Sequence, residues 1–113
     1  MMDIQLEKEE LNGAVVLSIK GDIDMSTSTK VREQLAPLFK QNNIAIVLDL
    51  SGVSYMDSSG IATLVEGLQW SHSSKNKFRL SSLTPGVKDV LEIVHLLSVF
   101  EIFETKEEAL KEI

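Results

Sequence analysis

Ile44-Ala45-Ile46-Val47-Leu48-Asp49-Leu50 is an apolar run without polar alternation, the pattern of a strand covered on both faces. Such a strand belongs inside a largely parallel sheet, with helices above and below it. The flanks agree. Upstream, Ser26 or Thr27 caps a predicted helix reaching to about Asn42, with Val31, Leu35, Leu38 and Phe39 on one face. Pro37 should kink that helix or end it early, because an interior proline removes a helical bond and clashes with the preceding turn. Downstream, after a loop over Ser51 to Met56, a second helix begins near Asp57-Ser58-Ser59-Gly60, with Ile61, Leu64, Val65 and Leu68 at helical spacing.

Further out, Ile4 and Leu6 alternate with polar neighbours, Asn12-Gly13 is a turn pair, and Ala14 to Lys20 is β-rich, so the chain opens with a predicted β-hairpin. Gly21-Asp22-Ile23-Asp24 then breaks the strand with turn-forming residues. Phe78-Arg79-Leu80-Ser81 is a further short strand, and Thr84-Pro85 is a helix start with proline at the first helical position. Val87, Val90, Leu91 and Val94 supply that helix's apolar face. Val99 to Phe103 is a last strand, and Thr105 with Glu108 forms a capping box for a short final helix. The order ββαβαβαβα predicts an α/β fold: a mixed, mostly parallel sheet that opens with a hairpin, helices packed on it, in a single domain over residues 1–113.

The 113 residues carry eleven basic and seventeen acidic groups, a net charge of −6 that is a poor electrostatic match for nucleic acid or an anionic membrane. There is no cysteine, which excludes a disulfide scaffold, a thiolate zinc site and a cysteine nucleophile. The start, Met1-Met2-Asp3, lacks a secretory pattern, the longest aliphatic stretch falls far short of the ~20 residues of a membrane span, and the end, Lys111-Glu112-Ile113, has no lipidation motif. The expectation is a cytoplasmic protein without a cofactor.

Asp57-Ser58-Ser59-Gly60 is the best candidate site, because it lies where a buried strand's loop meets a helix start. A helix N-terminus leaves N–H groups unpaired and carries partial positive charge, so a phosphate on a serine there meets donors and a favourable field. Gly60 lets another chain or a phosphate approach the backbone closely. The plainer reading makes Ser58 simply a cap. Catalysis by Ser58 is disfavoured: there is no Gly-x-Ser-x-Gly elbow, and His72 stands fourteen residues along the same helix, roughly 21 Å away. His95 could fold closer, but nothing in its surroundings suggests that it does. Asp22, Asp24 and Asp57 can gather at one end of the sheet, yet without paired-ligand spacing they read as turn and cap residues, not as a magnesium site. A receiver-domain fold, also acidic at that end, begins strand–helix, whereas this chain begins strand–strand. Trp70 points half a turn away from Ile61 and reads as packed under a neighbouring element. Lys75, Lys77 and Arg79 read as a solvated face, and the glutamate-rich stretch from Glu101 to Glu112 as an exposed helix surface.

With these residues in place, the sequence resembles the bacterial anti-sigma factor antagonists, free-standing members of the STAS domain family. Gly21-Asp22-Ile23-Asp24 resembles the family's Gly-Glu/Asp-Leu-Asp turn, Ile46 to Ser51 followed by Tyr55-Met56-Asp57-Ser58-Ser59-Gly60 its signature strand, loop and helix start, and Leu83-Thr84-Pro85-Gly86-Val87 the entry to its third helix. The resemblance implies that Ser58 is phosphorylated by an anti-sigma factor that is also a serine kinase. It implies that the unphosphorylated form binds this kinase and frees the sigma factor, and that a serine phosphatase resets the switch. It also places the partner contact on Asp22, Asp24, Met25, Met56, Asp57, Ser58, Ser59 and Gly60, with Ser59 a neighbour and not the acceptor. Three positions depart from the pattern. Ala62 stands where a glycine is frequent, and His95 where a glycine is common before the last strand. Asn76 stands where a Gly-Gly helix stop is usual, and reads as a left-handed cap. Two rival readings are a STAS-type interaction module of a lipid-transport or larger signalling assembly without phosphoswitching, and a hydrolase using Ser58.

Overall fold

In the computed structural model, which describes residues 4–111, the chain runs β1 (Gln5–Leu11), β2 (Ala14–Lys20), α1 (Ser28–Leu35), a 3-10 turn (Ala36–Lys40), β3 (Ala45–Gly52), α2 (Ser58–Ser74), β4 (Lys77–Ser81), α3 (Pro85–Ile93), β5 (Glu101–Phe103) and α4 (Lys106–Ala109). That is the predicted order. Pro37 has the predicted effect: α1 stops at Leu35 and the chain tightens into the 3-10 turn, which still buries Leu38 and Phe39 beside Val31 and Leu35. Met1–Asp3 and Glu112 lie outside the described residues.

The five strands lie in chain order, β1 antiparallel to β2 and every later pair parallel. Each parallel step passes through a helix, and crossovers of one hand put α1, α2 and α3 on the same face. There Ile46, Leu48 and Leu50 of β3 pack with Leu35, Leu64 and Leu91. The opposite face holds a smaller cluster of Val16, Val47 and Ala109, with Phe103 and Leu110 against it. Thus β3 is covered on both sides as its apolar run predicts, but unequally: three helices on one side, the short α4 on the other.

That asymmetry overturns the reading of Arg79 as part of a solvated face. Arg79 is 8% exposed. Its Nε donates to Glu101 at 3.0 Å, its Nη1 donates to the carbonyls of Ala109 (2.7 Å) and Lys111 (3.0 Å), and the guanidinium lies over the Phe103 ring. It fastens the C-terminal turn to the sheet, a task that suits a planar fork of donors. Lys75 and Lys77 are exposed, as expected.

The apolar spacing of α2 holds, with Leu64 in the core and Ile61, Val65 and Leu68 packed against it, but small residues share the buried face. The residues buried against the sheet are Gly60, Thr63, Leu64, Gly67 and Ser71, while Ile61, Val65 and Leu68 are half-buried. Small residues let the helix sit close: a Cβ on Gly67 would lie 2.8 Å from the Phe78 ring. Trp70 packs, as expected, 5.7 Å from Phe39 between ring centroids and beneath Arg32, which pairs with Glu66. Two end signals shift by one residue. The left-handed residue closing α2 is Lys75, not Asn76; Asn76 is buried, accepts from the Ile44 N–H and donates to the Gln41 carbonyl, tying the entrance of β3 to α2. Val94 falls beyond α3 and is exposed. His95 has φ +61°, the conformation a glycine adopts most easily.

Candidate functional site

The turn after β2 and the loop after β3 leave the sheet side by side, at the C-terminal ends of the parallel strands. A short ladder joins them. Gly21 N–H donates to Gly52, Ile23 N–H to Tyr55 and Asp57 N–H to Ile23, all near 3.0 Å, and Ile23 pairs with Met56. Gly21 has φ +122° and supplies the reversal that aims the turn at the loop. Ile23 and Met56 are each 1% exposed, so the ladder is anchored by apolar burial as well as by hydrogen bonds.

The three carboxylates do gather here, each with its own structural task. Asp22 accepts from the Ser54 hydroxyl. Asp24 accepts from the backbone N–H and hydroxyl of Ser26, and its own N–H donates to Thr27 Oγ1, which in turn donates to the Asp22 carbonyl. Thr27 is therefore the residue before α1, and its side chain closes the turn instead of the helix end. Asp57 is the N-cap of α2, accepting from Ser59 N at 2.9 Å and Gly60 N at 3.3 Å. Among the described residues no three His, Asp or Glu side chains are placed to hold a metal ion.

The two adjacent serines are thereby distinguished. Ser59 is half-buried and donates its hydroxyl to Asp57 at 2.5 Å. Ser58 is the first helical residue, exposed, and its hydroxyl has no hydrogen-bond partner among the described residues. The plain reading of Ser58 as the cap is thus replaced: Asp57 has that role. Asp57 also holds the N–H groups of Ser59 and Gly60, which leaves fewer donors for a phosphate at this helix start.

The other residues named for partner contact divide by exposure. Met25 is 83% exposed. Met56 and Gly60 are buried, and a Cβ on Gly60 would lie 2.5 Å from Met56 Cγ and 2.9 Å from Ile23 Cγ2. They support the surface from beneath instead of forming it: the close approach that Gly60 permits is made by the protein's own core. Sequence reasoning missed Tyr55, half exposed on the same rim; the signal was the chain's one tyrosine, standing in a loop. It also missed the start of α3, brought alongside when Thr84 donates to the Val53 carbonyl at 2.6 Å and Gly86 lies against the Ser54 carbonyl.

The pKa of Asp57 is held below the usual carboxylate value, first by the Ser59 hydroxyl, with partial burial opposing and the N–H groups of Gly60, Ser59 and Met25 assisting. Asp24 is lowered too, chiefly by Ser26. A carboxyl with a lower pKa folded than unfolded binds fewer protons in the native state. The stabilisation is therefore complete above the unfolded value of about 3.9 and is lost as pH falls through the folded one. Asp57→Ala is expected to cost about 0.5–2 kcal/mol at neutral pH. Thermal midpoints followed from neutral pH to about pH 3 should show the gap to wild type narrowing as acid removes the cap; a gap that stays constant would mean the carboxylate is not the capping group.

Comparison with known proteins places this geometry. The STAS domain model matches residues 5–109. An anti-sigma F factor antagonist of Paenibacillus polymyxa is 26% identical over 99% of this chain and 97% of its own. An anti-sigma-B factor antagonist of Listeria monocytogenes is 30% identical over 89% of this chain and 90% of its own. The crystal structure of an anti-sigma factor antagonist from Mycobacterium paratuberculosis superposes with a TM-score of 0.84 at 24% identity, over 96% of this chain and 92% of that one. Among the described residues no helix is long and apolar enough to cross a membrane.

Proposed function

The chain belongs to the STAS domain family, and on that premise we propose that it is an anti-sigma factor antagonist switched at Ser58. The unphosphorylated protein binds an anti-sigma factor serine kinase and frees the sigma factor, phosphorylation of Ser58 releases the kinase, and a serine phosphatase restores the binding form. The names of the relatives support antagonism. The observation that carries the acceptor assignment is the contrast between the two serines: the Ser58 hydroxyl is exposed and uncommitted, whereas that of Ser59 is donated to Asp57.

The contact surface in this reading is the rim of Asp22, Asp24, Met25, Tyr55, Asp57 and Ser58, held by the Ile23–Met56 ladder. The rim is acidic and carries two exposed apolar side chains, which fits a partner face with basic groups around an apolar socket. A phosphate on Ser58 adds roughly −1.5 to −2 charges beside Asp57. In the free protein that charge is open to water, so the fold persists. At a desolvated interface an unmatched charge costs several kcal/mol. The complex loses far more than the fold does.

The test is incubation with the serine-kinase anti-sigma factor of the same genome and ATP, followed by site localisation in the mass spectrometer. One phosphate on Ser58 is expected. A phosphate on Ser59, or none on this segment, would refute the acceptor assignment.

A further inference from the structure

The turn that carries Met25 is a short span between two anchors. On one side Ile23 is buried and tied to the loop after β3 by two backbone bonds, its own N–H to Tyr55 at 3.0 Å and the Asp57 N–H to its carbonyl at 3.1 Å. On the other side stands Thr27, 7% exposed. Only Asp24, Met25 and Ser26 run between them. Met25, 83% exposed, has almost no packing of its own, so the main chain of this turn decides where its side chain stands.

Thr27 fixes that main chain. Its hydroxyl accepts from the Asp24 N–H at 2.9 Å and donates to the Asp22 carbonyl at 2.8 Å. One side chain thus bridges the residues on either side of Ile23. The N–H groups of Thr27 and Ser28 return to the Asp24 carbonyl at 3.1 and 2.8 Å, which closes the turn from its far end. A threonine in front of a helix ordinarily caps it, yet the Thr27 side chain makes no cap bond to α1. A buried hydroxyl at a helix start that commits its bonds to the preceding turn serves the turn.

We propose that Thr27 is a positioning residue for recognition by the kinase: its hydroxyl holds the turn in the conformation that presents Met25 to the partner. The proposal rests on the reading of this rim as the kinase contact. A mobile turn must be ordered when it binds, and that entropy is subtracted from the affinity, whereas a turn already fixed binds without the loss. Thr27→Val keeps the shape of the side chain but has neither donor nor acceptor. Asp22 is exposed and Asp24 partly so; water therefore takes up the freed Asp22 carbonyl and Asp24 N–H, and the turn loosens while the domain stays folded. Thr27→Ser keeps the hydroxyl and with it the turn.

Two measurements on the full chain test this. Hydrogen exchange by NMR reads the turn, and phosphorylation kinetics with the serine-kinase anti-sigma factor of the same genome read its use. In Thr27→Val the Asp24 amide should exchange about tenfold faster. The KM of the kinase for this variant should rise about tenfold with kcat kept within about twofold, the mark of lost binding without lost chemistry. Thr27→Ser should match the wild type in both measurements. Met25→Ala, at an exposed position, should raise KM by a similar factor, and adding Thr27→Val to it should raise KM little further, because the two changes act through one contact. Unchanged exchange in Thr27→Val, an equal loss in Thr27→Ser, a fall in kcat in place of the rise in KM, no effect of Met25→Ala, or additive effects in the double variant would each overturn the proposal. A wild-type chain that the kinase neither binds nor phosphorylates would overturn the reading beneath it; the two failures are told apart because the exchange measurement needs no kinase.

Discussion

Ser58→Ala is expected to give a kinase complex that ATP no longer dissolves. The substitution deletes the one serine hydroxyl at the start of α2 that has no hydrogen-bond partner, on an exposed residue that is not the cap. Its effect on stability should therefore stay within about 0.5 kcal/mol, as for other surface positions without a special contact. Binding should persist, since a methyl group replaces a small neutral side chain. What disappears is release. On the proposed reading, several kcal/mol of unmatched phosphate charge act against the wild-type complex, and each ~1.4 kcal/mol is tenfold in affinity. The ratio of dissociation constants with and without ATP should thus fall from a hundredfold or more, on the order of 10² to 10³, to about one. Ser58→Asp should weaken binding without ATP, though less than phosphate does, because one carboxylate has less charge and fewer acceptor oxygens. Ser59→Ala removes the hydroxyl that holds Asp57, so it should slow phosphorylation while leaving it on Ser58. Calorimetry with and without ATP on all three variants reads these outcomes. Continued dissociation of the Ser58→Ala complex by ATP would show that the switch lies elsewhere.

The elements legible in the sequence were those written by hydrophobic pattern and turn chemistry. The unbroken run through Ile44–Leu50 announced a doubly covered strand, Asn12-Gly13 the hairpin, Thr84-Pro85 a helix start, and Pro37 an early stop; all stand in the structure. The failures share a cause. Hydropathy treats Gly60, Gly67 and Ser71 as blanks, yet they form the closest contact of α2 with the sheet. It treats Arg79 as solvent-facing, yet that side chain is buried because α4 leaves carbonyls above the sheet that need donors. At the candidate site, the motif singles out Ser58 and its neighbours. Which of them reach the surface depended on side-chain packing that no local pattern encodes: Asp57 caps, Ser59 is engaged, Met56 and Gly60 lie beneath, and Tyr55 emerges.

Gly60→Val should show that this buried layer, and not a direct partner contact, is what Gly60 provides. Any Cβ there meets Met56 Cγ at 2.5 Å, Ile23 Cγ2 at 2.9 Å and the Ile23 carbonyl at 3.2 Å. Met56 and Ile23 are fully packed and joined by the ladder, so neither side chain has open space to retreat into. A single added carbon would already overpack the site; valine adds two more and restricts its own rotamers within the helix. Valine's better helix propensity than glycine returns only a few tenths of a kcal/mol. The net loss should be about 2–3 kcal/mol, which for a domain of this size lowers the thermal midpoint by roughly 8 °C or more. Ala62→Val, two residues along the same helix at an exposed position, controls for the β-branch and should cost within about 0.5 kcal/mol. Because Gly60 seats the start of α2 on the turn that carries Asp24 and Met25, the variant that remains folded should also be a poorer kinase substrate at Ser58. The two losses belong together. A Gly60→Val protein with an unchanged thermal midpoint and a broken kinase complex would instead put Gly60 at the interface itself, and the close packing of α2 on the Ile23–Met56 ladder would no longer explain its place in the site.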